Sequence, residues 1–65
     1  MERKDFLDSL IGKNITEAID VCIANDFKCR VIRENSINYI ITADFSPDRV
    51  NLEIDKNFVT SAHNG

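Results

Sequence analysis

Sixty-five residues, 29% of them charged, with a net charge of −3, describe one small domain. No apolar run approaches the roughly 18 residues a membrane span needs, and the eight Lys and Arg are dispersed. No membrane contact and no nucleic-acid partner are therefore expected, since phosphate backbones call for a basic face. A chain this short buries only about 60% of the surface of its unfolded form, which leaves little room for a deep substrate pocket and favours a binding module over an enzyme.

The opening Met1-Glu2-Arg3-Lys4-Asp5-Phe6 has no apolar signal core, so a cytosolic protein with flexible residues 1–5 is expected. Phe6, Leu7, Leu10 and Ile11 cluster ahead of Gly12. Asn14 is a good N-cap with Glu17 three residues on, and Ile15, Ala18, Ile19 and Cys22 then follow helical spacing. Asn25-Asp26 ends that helix, with Asn25 suited to a left-handed C-cap. Phe27–Arg33 reads as a strand, with Lys28 and Arg30 on the face opposite Cys29 and Val31. Glu34-Asn35-Ser36 is a polar break, and Ile37–Thr42 is locally strand-like. Val50, Leu52 and Ile54 alternate with Asn51, Glu53 and Asp55, the pattern of a half-buried strand. After the turn at Asp55-Lys56-Asn57, Phe58–Ala62 predicts a short final strand. One capped helix on a small sheet, an α+β domain over residues 1–65, is the arrangement these elements make.

Cys22 and Cys29 lack a CxxC spacing or a nearby His, so free, small apolar side chains are expected; a disulfide needs the fold to bring them together. Asp44, Asp48 and Asp55 match no metal-loop spacing, and no nucleophile–base pair is evident. No cofactor, no metal and no catalytic residue are expected, and His63 reads as a wet surface residue.

The run Thr42-Ala43-Asp44-Phe45-Ser46-Pro47-Asp48-Arg49-Val50-Asn51 carries acidic, hydroxyl and proline residues, then a basic residue where a strand begins. That order suits a stretched loop tied down by charge-assisted hydrogen bonds from a neighbouring strand. It equally suits a hairpin with Ser46-Pro47-Asp48 at its tip, Tyr39–Phe45 as an ordinary strand, and Arg49 solvated or paired with Asp48 or Glu53.

The landmarks Leu10-Ile11-Gly12-Lys13-Asn14, Glu17-Ala18, Arg30-Val31-Ile32-Arg33, Thr42-Ala43-Asp44-Phe45, Pro47-Asp48-Arg49-Val50-Asn51-Leu52, Asp55 and Gly65 stand in an order that resembles the potato inhibitor I family of serine peptidase inhibitors, most of all its short microbial members. The resemblance spans roughly residues 6 to 65. It implies a helix on a small mixed sheet, with an exposed loop of about residues 36–48 between two parallel strands. It implies a reactive-site loop of Thr42, Ala43, Asp44 and Phe45 whose reactive bond lies between Ala43 and Asp44, with Thr42 and Asp44 flanking it and Arg49 and Asn51 bracing the loop. Arg49 offers a planar fork for the Asp44 carboxylate and the Thr42 hydroxyl or carbonyl, and Pro47 fixes its own φ while restraining Ser46. An Ala43 methyl suits subtilisin- or elastase-like pockets better than a cation-seeking one. Microbial members commonly carry Arg where Ser46 stands here, which removes one brace. The rival function is a cytosolic interaction module of the same fold, such as a phage-encoded protein, acting on a non-peptidase partner.

Overall fold

In the computed structural model, which describes residues 3–65, the apolar cluster ahead of Gly12 is itself a helix, α1 (Arg3–Leu10). Phe6 and Leu10, one turn apart, are its buried face. Arg3, Lys4 and Asp5 belong to this helix, while Met1 and Glu2 of the expected flexible tail lie outside the described residues. Gly12 closes the helix at φ +91°, a conformation that favours glycine, and donates its N–H to the Val59 carbonyl at 2.9 Å.

Helix α2 (Ile15–Ala24) begins where the N-cap signal predicts: the Asn14 side chain accepts from the Glu17 N–H at 2.8 Å. Its end differs in detail. Asn25 caps it at φ −108°, and the left-handed conformation falls to Asp26 at φ 63°. Ala18 and Cys22 are the buried residues of α2, whereas Ile23 is exposed.

Four strands follow: β1 (Lys28–Glu34), β2 (Ile37–Asn38), β3 (Arg49–Asp55) and β4 (Phe58–Asn64). They form one mixed sheet in the order β2-β1-β3-β4, with β1 and β3 parallel and the outer pairs antiparallel. The α+β class and the parallel pair expected from the sequence are present, with two helices among the described residues where the sequence pattern gave one. Both hairpins turn in two residues, Asn35-Ser36 and Lys56-Asn57, each pair at positive φ. Positive φ at both centres is the primed turn whose twist matches the strands it joins. The Asn35 side chain also accepts from the Lys56 N–H at 2.8 Å, tying one turn to the other.

The core is shared between layers. Phe6, Leu10, Ala18 and Cys22 come from the helices, and Val50, Leu52, Ile54 and Val59 from the sheet. Phe27 extends it by stacking on Phe6 at 5.0 Å between ring centroids. Among the described residues, no helix is long and apolar enough to cross a membrane.

The expected strand Ile37–Thr42 is cut short. Only Ile37 and Asn38 pair, with Tyr39 adding one bond from its N–H to the Ile32 carbonyl. From Tyr39 the chain leaves the sheet and does not rejoin it until Arg49. The β-branched residues Ile40 and Ile41 supply strand propensity but both remain exposed, Ile40 fully so.

Candidate functional site

The segment between Asn38 and Arg49 joins β2, on one edge, to the central β3, so it must pass over the end of β1. It does not pair with β3, whose neighbours are β1 and β4, so the hairpin alternative for Thr42–Asn51 is not the structure. The Ser-Pro-Asp turn does form, but as the landing of the loop onto β3. The Arg49 N–H donates to the Ser46 carbonyl at 3.2 Å, and the Ser46 hydroxyl donates to the Asp48 carboxylate at 2.6 Å. Pro47 sits within this turn, and its carbonyl accepts from the Asn64 side chain at 2.8 Å.

What holds the rest of the loop comes from the polar face of the sheet. Strand alternation sends Val50, Leu52 and Ile54 into the core and Arg49, Asn51 and Glu53 to the other face. The parallel register sets Lys28 beside Arg49 and Arg30 beside Asn51. Arg30 and Arg49 therefore stand on neighbouring strands, two register positions apart, at the root of the loop.

Arg49 makes the first grip. Its Nη2 donates at 2.7 Å to the Asp44 carbonyl and at 2.7 Å to the Gly65 carbonyl. Nε adds a bond to the same Gly65 oxygen at 3.2 Å, and Nη1 faces the Asp44 carboxylate at 3.4 Å. The planar fork thus clamps loop backbone to the end of β4. Gly65 closes the circuit, accepting from the Ser46 N–H at 3.2 Å and donating its own N–H to the Arg49 carbonyl at 3.0 Å. A Cβ on Gly65 would lie 3.4 Å from the Phe45 ring, an ordinary van der Waals contact, so it is the φ of +137° and not crowding that favours glycine here.

Arg30 makes the second grip, and sequence reasoning did not assign it one. Its Nη1 donates to the Thr42 hydroxyl at 3.3 Å, and its Nε to the Asn51 side-chain oxygen at 2.9 Å. Thr42 is thus reached from β1, and Asn51, expected to brace the loop itself, holds the arginine that does. The signal was the outward parity of Arg30 on β1, but its pairing with Asn51 needs the register.

The two grips meet between Thr42 and Asp44. The Thr42 hydroxyl, its own donation to the Asp44 carboxylate foremost, holds that carboxyl below the usual range, aided by the Asp44 N–H and the Arg49 charge. Asp48 is likewise held low, first by the Ser46 hydroxyl, then by its own N–H and by Lys28 and Arg49. Ala43, between the two tethered residues, is exposed. Ile40, Ile41, Tyr39 and Phe45 are exposed as well, which gives the loop an apolar outer surface on a polar inner frame. Tyr39 donates its hydroxyl to Glu34 at 2.8 Å, and that bond pushes its pKa up.

Further down the polar face, Ser61, His63 and Glu53 meet, a grouping with the residue types of a hydrolytic triad. The Ser61 hydroxyl and the Glu53 carboxylate both sit 2.9 Å from the same nitrogen, His63 Nε2. A triad needs the nucleophile on one ring nitrogen and the orienting carboxylate on the other, so this is a surface network and not a catalytic one. Its effect is electrostatic: the bond from His63 is the largest cause of a lowered Glu53 pKa, with Arg33 3.6 Å from the same carboxylate. No group of three or more His, Cys, Asp or Glu among the described residues is arranged to hold a metal ion.

No protein-family model matches the chain, and no curated protein matches it either.

Proposed function

We propose that this protein is a serine peptidase inhibitor of the potato inhibitor I type, acting in the cytosol, that offers the Tyr39–Phe45 stretch to a subtilisin-, elastase- or chymotrypsin-like peptidase as a substrate, with Ala43–Asp44 as the reactive bond. The observation that carries this reading is the Arg49 fork, bonded at 2.7 Å to the Asp44 carbonyl on one side and at 2.7 Å to the Gly65 carbonyl on the other. An extended segment enters a peptidase cleft by adding backbone hydrogen bonds as a strand would. Binding is tight when the segment already has the bound shape, because little ordering remains to oppose association. Here the residues on both sides of Ala43 are tethered while its own side chain stays outward. If the bond is cut, Arg49 still holds the new end at Asp44 and Arg30 the Thr42 side, so the ends stay poised for resealing.

Residual activity of the three peptidase types, measured against increasing inhibitor, is the direct test. Inhibition that disappears in Ala43→Pro, together with slow cleavage confined to Ala43–Asp44, supports the reading. Rapid cleavage at several loop bonds, or no effect at micromolar protein with the fold intact, leaves the same apolar loop surface to a non-peptidase protein partner.

A further inference from the structure

The two cysteines take no part in the loop contacts, yet the fold brings them together. Cys22 lies in the last turn of α2 and is fully buried; Cys29 is the second residue of β1, half-buried and packed against the same core. The reversal between them is tight. Asp26 takes positive φ, and the Phe27 N–H donates back to the Cys22 carbonyl at 2.9 Å. This folds β1 against the helix it has just left, and sets Cys29 against the same core that holds Cys22, where the two thiols perturb each other's titration. Both are free thiols.

We infer that Cys22 and Cys29 are a disulfide-forming pair, a modification site whose oxidised form staples α2 to β1. The position matters for the loop. Cys29 pairs with Val50, between the Lys28–Arg49 and Arg30–Asn51 pairs, so the staple sits at the root of both guanidinium grips. The reaction is an exchange with a small disulfide such as oxidised glutathione. The half-exposed Cys29 thiolate attacks one glutathione sulfur and releases the first glutathione. The Cys22 sulfur then displaces the second. Two thiols lose two protons and two electrons, and one glutathione disulfide becomes two glutathiones. Burial is the main cause that pushes both thiols up, Cys29 to about 12, so thiolate is scarce at neutral pH. The rate should therefore climb about tenfold per pH unit between about pH 7 and 9.

The test uses the intact native protein with oxidised glutathione at mildly alkaline pH. The expected product is a monomer lighter by two hydrogens, with no glutathione attached and the peptides carrying Cys22 and Cys29 joined. Its unfolding midpoint should rise by on the order of 10 °C and fall back on reduction, as closing a short loop in a small domain predicts. A glutathione adduct that persists on Cys29, a disulfide-linked dimer, or a native protein that stays reduced while the urea-unfolded chain oxidises would each overturn the inference. So would a bond that forms with no rise in the midpoint. None of these readouts involves a peptidase, so the result stands apart from the proposed function.

Discussion

The two faces of β3 divide the work of this domain between them. On one face Val50, Leu52 and Ile54 are at most 2% exposed and join both helices into the core. On the other, the side chains of Arg49 and Asn51 address the loop directly or through Arg30. The same seven residues thus specify the fold by one parity and loop shape by the other. Global stability and loop order should accordingly respond to different substitutions, although both are written on one strand.

The largest effect should come from the core face. Leu52 is fully buried, and Leu52→Ala should cost about 2–5 kcal/mol. A domain this small holds only about 5 kcal/mol, so thermal or urea unfolding should report a largely or wholly unfolded variant. Near-native stability in that variant would break the division between the faces.

Next comes Arg49→Ala. Charged hydrogen bonds are worth roughly 1.5–3 kcal/mol when shielded and much less when wet. The Arg49 side chain is 14% exposed and the Asp44 side chain 61%, so the backbone bonds to Asp44 and Gly65 should matter more than the ion pair. Limited proteolysis should cut the loop about tenfold faster or more, while the unfolding midpoint drops by only a few degrees. A large loss of global stability without faster loop cleavage would assign Arg49 to the fold instead.

Arg30→Ala should loosen the Thr42 end in the same assay by a smaller factor. Asn51→Ala should act in the same direction and more weakly, because it works through Arg30. The double variant should be no worse than Arg30→Ala alone, and additive effects would mean that Asn51 has a separate role.

The smallest effect is that of pH. Asp44 and Asp48 have depressed pKa values in the folded protein, so their contribution to loop order is complete above the ordinary Asp value near 4. It should be lost as pH falls from there through the depressed values. Carboxyl shifts followed by NMR should place both midpoints low, and Thr42→Val should move that of Asp44 back up. An Asp44 midpoint indifferent to Thr42 would remove the hydroxyl from the frame.

Much of the core face was legible in the sequence. The Asn14 cap, the periodicity through Cys22 and the alternation of Val50, Leu52 and Ile54 are local patterns, and each corresponds to the element found. Helix α1 was harder, since eight residues with Phe6, Leu7 and Leu10 carry barely two turns of pattern. Ile37–Thr42 misled because β propensity measures how a side chain packs on a sheet, and Ile40 packs on nothing. At the site, the Arg49–Asp44 pairing was expected through the family resemblance alone, since the residue pattern left Arg49 equally free to stay solvated or to pair with Asp48 or Glu53. Arg30 could not be joined to Thr42 and Asn51, 12 and 21 residues away, without knowing which residues of β1 and β3 lie side by side.

The loop also divides the buried residues evenly. Phe6, Leu10, Ala18 and Cys22 precede it; Val50, Leu52 and Ile54 on β3 and Val59 on β4 follow it, with β3 flanked by β1 from the first half and β4 from the second. Neither half encloses a hydrophobic interior by itself. Two synthetic peptides divided within the loop should each be disordered alone and should fold only on mixing, which would turn a single-chain protein into a concentration-dependent heterodimer.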